Sequence, residues 1–170
     1  MFHAMKSCLL AAAVTAATAG ALQAEIVQIN CGAPVQSIVP TSNEPFQTTS
    51  KRFIRLQGAV ATVRVPAGQR RCVKVRFTAS ATCSASVGFG TCFIRALADG
   101  EQLNPRTNGN QAFFGSASAE PTGIGYQWIG RLGDGEHVIQ IQLRTDDVPN
   151  LTTTVGVDDW TMDVEVLHLP

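Results

Sequence analysis

The chain has 170 residues, with 13 Lys and Arg against 13 Asp and Glu, for a formal net charge of zero. Such balance, with no like-charged block beyond Arg70-Arg71, excludes the basic footprint that nucleic acid or an anionic lipid surface demands. Hydrophobic residues make up 45 %, enough for a packed core, and the length suits one domain.

The first residues, MFHAMKSCLLAAAVTAATAGALQA, run from a lone cation, Lys6, through an Ala-rich apolar stretch to small residues at Ala21 and Ala24. This is the layout of a secretory signal peptide, bacterial in character. Its apolar run is too short and too weak to span a bilayer. We expect Met1–Ala24 to be removed, leaving Glu25–Pro170 as a single secreted or periplasmic domain with no membrane span.

Cys8 leaves with that segment, and Cys31, Cys72, Cys83 and Cys92 remain. An even number of cysteines in an exported chain is the arithmetic of disulfides. Four cysteines allow three pairings, and spacing alone does not choose among them. The expected pairing is Cys83–Cys92, closing a short Ser/Gly loop, with Cys31–Cys72 tying the N-terminal segment to the body. Zinc needs close pairs such as C-x₂-C, and none is present. A nucleophilic cysteine needs a spare thiol beside a base, and the even count leaves none.

Two-residue alternation runs through the rest of the chain. Pro34–Ser50, PVQSIVPTSNEPFQTTS, reads as a polar connector. Arg52–Gln57 and Ala59–Val65 read as strands. In CVKVRFTA, Val73, Val75, Phe77 and Ala79 alternate with Lys74, Arg76 and Thr78, the signature of a half-buried strand. CFIRALADG follows and breaks at Asp99-Gly100, a hairpin-turn dipeptide. Glu101–Leu103 begins a return, then QAFFGSAS and GYQWIGRL supply further strands. In HVIQIQLRT, Ile139, Ile141 and Leu143 alternate with Gln140, Gln142 and Arg144. In DWTMDVEVL, Trp160, Met162, Val164 and Val166 alternate with Thr161, Asp163 and Glu165. No helical stripe of useful length interrupts them.

Some eight to ten short strands with regular turns predict an all-β, antiparallel two-sheet sandwich. A jelly roll is expected over an immunoglobulin layout, because Trp128 and Trp160 both follow all the cysteines rather than lying between two of them. The order CVKVRFTASATC…CFIRALADG…GEHVIQIQLRT…VDDWTMDVEV, over Arg52 to Val166, resembles small secreted bacterial jelly-roll proteins of unassigned function. Its ending is also similar to the last strands of carbohydrate-binding modules and of tumour-necrosis-factor-like trimers. The resemblance implies a fold, and it carries over no catalytic residue.

Candidate chemistry is sparse. There is no G-x-S-x-G elbow and no H-E-x-x-H. A hydrolase would have to pair His137 with a loop aspartate, whereas a plain strand position for His137 and turn-starting aspartates explain the same residues. Asp146, Asp147, Asp158 and Asp159 are the oxygen ligands that calcium would use, in a spacing that matches no calcium loop. Tyr126 and Trp128, two apart and so on one strand face, and Phe89 between Gly88 and Gly90 are the aromatic binding candidates. Trp160 is expected in the core, and Phe89 is expected to plug the sandwich end. The reading favours a non-catalytic exported module, without a required cofactor, whose partner is a glycan, a cell-envelope component or further copies of itself.

Overall fold

The computed structural model describes residues 29–106, 111–116, 120–146 and 148–169. The expected signal segment and Asp147 lie outside these residues. The described residues hold eleven strands and no helix, and so no helix long and apolar enough to cross a membrane.

The strands are β1 (Pro34–Ile38), β2 (Thr41–Ser42), β3 (Phe46–Thr48), β4 (Ile54–Val65), β5 (Arg71–Ala85), β6 (Phe89–Ala98), β7 (Glu101–Gln102), β8 (Gln111–Ser116), β9 (Thr122–Leu132), β10 (Gly135–Thr145) and β11 (Thr153–His168). Sheet A has the order β1-β11-β5-β9, with β2 and β3 also on β11. Sheet B has the order β4-β10-β6, and β7 and β8 share the far edge of β6. All pairings are antiparallel. With the short β2, β3 and β7 set aside, the long strands change sheet at every step except β6 to β8, as two interleaved Greek keys, which is the jelly roll.

The alternation read from the sequence sets the core. Val73, Val75, Phe77 and Ala79 of β5, Ile139, Ile141 and Leu143 of β10, and Trp160, Met162, Val164 and Val166 of β11 are all buried in one cluster. Full burial of each large side chain is worth about 1.5–3 kcal/mol, and β4, β5, β6, β9, β10 and β11 all contribute such residues to this one interior. Phe77 and Trp160 stack at 6.2 Å.

Two expectations are corrected here. Pro34–Ser50 is no mere connector: it forms β1, β2 and β3 along the outer edge of β11. The backbone groups of β11 on that edge find partners in the N-terminal segment, so a stretch of low strand propensity is paired by its neighbour. The two strands expected over Arg52–Val65 are one, β4, bent at Gly58. Gly58 has φ +79°, and a Cβ there would lie 3.2 Å from the Trp160 ring. A glycine at that point lets the strand kink over the indole, and the β4–β10 register shifts beside it.

Both disulfides form as expected, Cys31–Cys72 and Cys83–Cys92, each with Cα atoms 5.9 Å apart. They imply maturation in an oxidising, extracellular or periplasmic-type environment. The sequence separations are 41 and 9. Chain-entropy arguments then give about 4 kcal/mol for the longer loop and about 3 kcal/mol for the shorter. Replacing Cys31 and Cys72 together by serine should therefore lower the denaturant midpoint more than replacing Cys83 and Cys92 together. The reverse order would show that native-state packing, and not loop closure, sets what each bridge contributes.

Candidate functional site

Jelly-roll strands can present function at three kinds of place: a loop end, a side cleft, or the outer face of a sheet. All three carry something here.

The loop end is the β5–β6 hairpin, stapled at its base by Cys83–Cys92. Its tip exposes Val87 at 66 % and Phe89 at 81 %. The expected plug is thus overturned: Gly88, at φ +64°, turns the chain outward and Phe89 stands in solvent. The hairpin also meets the β10–β11 loop, where Ser86 N donates to Thr152 O (2.8 Å) and Thr152 N to Ser86 Oγ (3.2 Å).

The side cleft, of about 550 Å³, is lined among others by Asp99, Glu101, Gln102, Arg106, Arg131 and His137. Its floor is the crossing from sheet B to sheet A, where Asn104 and Ile129 exchange both backbone hydrogen bonds at 2.8 and 2.9 Å. His137 lies at the rim, largely covered. Its Nδ1 is 2.6 Å from Asp99 Oδ2 and its Nε2 is 3.0 Å from Gly133 O. Both ring nitrogens therefore face acceptors, an arrangement satisfied only by the doubly protonated ring. Burial works against that charge, but the hydrogen bonds the ring donates to Asp99 and Gly133, together with the nearby Asp99 and Asp134 charges, raise the imidazole pKa above its ordinary value. Burial likewise opposes the Asp99 carboxylate, but the N–H of Val138 (2.8 Å) and His137 outweigh it and lower its pKa. Asp99 has φ +51° at the tip of the β6–β7 turn. The pair thus pins a strained turn onto β10. An imidazole with no free lone pair is not poised as a general base. The carboxylate it meets is Asp99, not the loop aspartates weighed from the sequence.

Asp146, Asp158 and Asp159, the three of those aspartates that the structure describes, take part in backbone contacts. Asp146 Oδ2 accepts from Thr91 N at 2.9 Å, and Asp146 N donates to Thr91 O at 2.8 Å, which closes the β6–β10 ladder. Asp158 Oδ1 accepts from Asp159 N at 2.9 Å. Asp159, at φ +46°, sits where the β11–β5 register shifts. Among the described residues no group of three or more His, Cys, Asp or Glu is placed to hold a metal ion.

The aromatic candidates separate. Tyr126 and Trp128 do share a face, with rings 5.8 Å apart, but it is the inner one. Trp128 is 1 % exposed, and this corrects its place among the surface candidates: β9 pairs with β5 so that Trp128 lies opposite the buried Val75. Tyr126 is half-buried against the core, and its hydroxyl lies 3.4 Å from Ala112 O of β8, bridging the two sheets.

The outer face of sheet B holds what the sequence reading missed. The register puts Arg55, Gln142 and Arg95 side by side across β4, β10 and β6, with Arg144 beside Phe93 in the next row. The Arg95 guanidinium lies 3.9 Å over the Phe53 ring. That of Arg144 lies 3.8 Å over Phe93 and 5.2 Å from Phe53. Arg95 Nε and Nη2 both donate to Gln142 Oε1, at 2.9 and 2.6 Å. Two cations and two rings thus form a fixed ladder on the sheet. Its members come from three stretches, at Phe53, Phe93–Arg95 and Gln142–Arg144, some forty to ninety residues apart in the sequence, so no local motif announces it. The one available signal was outward parity: Phe93, Arg95, Gln142 and Arg144 all alternate with core residues.

No protein-family model matches the chain, and no curated protein matches it. Among solved structures, it is similar to a family 35 carbohydrate-binding module from Clostridium thermocellum, at 11 % identity and TM-score 0.38 over 76 % of this chain and 98 % of that one. It is similar to the CBM22-1 xylan-binding domain from Paenibacillus barcinonensis Xyn10C, at 8 % identity and TM-score 0.35 over 84 % of this chain and all of that one. It also resembles the insecticidal delta-endotoxin Cry8Ea1 from Bacillus thuringiensis, at 15 % identity and TM-score 0.37 over 73 % of this chain. The chain spans 19 % of that toxin's length. These neighbours are β-sandwich domains; the jelly-roll assignment rests on the strand order of this chain itself.

The clamp makes a signed prediction. A raised imidazole pKa contributes stability that is complete below the ordinary value of about 6.5 and is lost as pH rises through the folded value. A lowered carboxylate pKa contributes above about 3.9 and is lost as pH falls through its folded value. His137→Gln should therefore cost most between about pH 4 and 6.5, and less as pH rises further. Because Asp99 is 48 % exposed, the cost should stay near 1 kcal/mol or below. Chemical unfolding of both proteins from pH 4 to 9 measures it, and a gap that widens toward pH 9 would contradict the clamp.

Proposed function

We propose that this protein is a non-catalytic, exported β-sandwich module that binds a glycan, and that the binding surface is the outer face of sheet B. The observation carrying this reading is the ladder of Phe53, just before β4, with Arg95 and Phe93 of β6 and Arg144 of β10, beside Gln140 and Gln142. Sugar hydroxyls are recognised by planar polar side chains held in fixed orientation, because each bond then costs little rotamer entropy. Here the phenylalanine rings and the Gln142 amide hold the guanidinium planes, and rigid strands rather than loops carry them.

Assembly through an apolar sheet face has less support. The large apolar side chains exposed among the described residues are Val35, Val39, Val87, Phe89, Val138 and Val148. They are divided between the sheet A edge, sheet B and the hairpin end rather than gathered on one sheet. Hydrolysis at His137 has less still, because both ring nitrogens are already engaged.

Screening the purified protein on a glycan array, followed by calorimetry on the best ligand, tests the reading. Gln142→Leu should weaken binding about fivefold, the worth of roughly one neutral hydrogen bond, with an unchanged circular dichroism spectrum. Indifference to every glycan, or binding that Gln142→Leu leaves intact while Arg131→Ala in the cleft abolishes it, would contradict this choice of surface.

A further inference from the structure

The two outer faces treat charge differently. On sheet A, cations meet carboxylates across strands: Lys74 pairs with Glu165, and Arg76 pairs with Glu165 and, at 3.3 Å, with Asp163. The hydrogen bond from Lys74, then the charges of Lys74 and Arg76, overcome burial and lower the Glu165 pKa. On sheet B, among the described residues, no carboxylate pairs with Arg55, Arg95 or Arg144. Of the acids on β10 and just past it, Glu136 lies opposite Arg64 at the far end, about 20 Å from Gln142 at strand rise. Asp146, two residues past Arg144, accepts the Thr91 N–H at its Oδ2 and forms no ion pair among the described residues.

The arginines also keep donors in reserve. Arg95 spends Nε and Nη2 on Gln142, and Arg144 spends Nη1 on Thr145 O at 3.1 Å. Among the described residues, Arg95 Nη1 and Arg144 Nε and Nη2 have no acceptor. Burial first, and then the neighbouring Arg144 cation, lower the Arg95 pKa, yet an arginine stays charged at any physiological pH. Two like charges are thus held over a shared ring, with no ion-pair partner among the described residues and with unspent planar donors. Carboxylates match that fork geometry. Arg55 and Arg95 flank Gln142 across two strand spacings, about 10 Å, so the cationic strip runs across the strands rather than forming a single-ion pocket. The near-neutral whole chain argues against a nucleic acid, which calls for a broad basic surface. The Gln140 and Gln142 amides beside the guanidiniums suit hydroxyl groups adjacent to an acid.

We propose that the ligand of the sheet B face is an acidic polysaccharide, a chain bearing uronate carboxylates that Arg55, Arg95 and Arg144 receive while Gln140 and Gln142 meet its hydroxyls. This rests on the glycan reading above and narrows it. The carboxylates supply the charge that the face lacks, and the amides supply the sugar contacts.

Affinity electrophoresis and calorimetry on the full exported chain test it with four probes: polygalacturonate, alginate, fully methyl-esterified polygalacturonate, and polyglutamate. The expected result is binding to at least one of the two uronate polymers. Esterification, or replacing the sugars by peptide, should weaken binding at least about tenfold. Affinity should fall as salt rises from 50 to 500 mM, on the order expected for partly exposed charges. Arg144→Gln and Arg95→Gln should each lose at least about tenfold. Arg55→Gln, which touches neither ring, should lose severalfold with unchanged thermal stability, so that loss of binding cannot be ascribed to misfolding. Equal binding of the esterified polymer would overturn the acidic specificity and leave the glycan reading standing. Failure on both uronate polymers together with Gln142-dependent binding of a neutral glycan would do the same. Equal binding of polyglutamate would overturn both, since charge alone would then suffice.

Discussion

Two sheets can join only through their apolar faces, and along β5, β10 and β11 that requirement assigns every second side chain to the interior. The constraint is strict because strand periodicity is two: a one-residue slip would turn Ile139, Ile141 and Leu143 to water and bury Gln140, Gln142 and Arg144. β11 is paired on both edges over much of its length, by β5 on one side and by β1, β2 and β3 on the other, which leaves it little freedom to slip. The same parity that builds the core places three arginines on one outer face.

That outer face is where the structure departs from simple solvation. A sheet can keep cations soluble by pairing them across strands, as sheet A does with Lys74, Arg76, Asp163 and Glu165. Sheet B instead rests its guanidiniums on Phe53 and Phe93. Stacking fixes the planes without neutralising them, so the electrostatic field stays available to a ligand. The His137–Asp99 pair is the opposite case. Its charges are consumed internally, holding the β6–β7 turn to β10. The uncommitted donors of sheet B and the engaged histidine are the two observations on which the glycan-binding proposal rests.

Much of this architecture was legible in the sequence. β5, β10 and β11 alternate so regularly that their inner faces could be named residue by residue, and Trp160 belonged to the core on that ground. The even cysteine count and the short Ser/Gly loop led to the observed pairing. What could not be read was set by partners distant in sequence. Pro34–Ser50 becomes strand only because β11 offers an unpaired edge. Gly58 bends a single strand because the Trp160 ring lies beneath it. Trp128 is buried because β9 closes onto β5, and parity alone does not say which face of an edge strand is inner. Asp99 and His137 meet across strands, as do Phe53, Arg95 and Arg144, and no window along the chain contains either group. Phe89 went the other way, since its glycine neighbours permit both a plug and an exposed tip.

The measurement that bears most directly on the account is a residue-resolved map of ligand contact. Amide chemical shifts of the labelled protein, followed during titration with a short uronate oligomer, should move first at Arg55, Phe93, Arg95, Gln142 and Arg144, while β11 and the Ser86–Phe89 hairpin stay still. Shifts confined to the cleft around Glu101, Gln102 and Arg106, or to the hairpin tip, would contradict it.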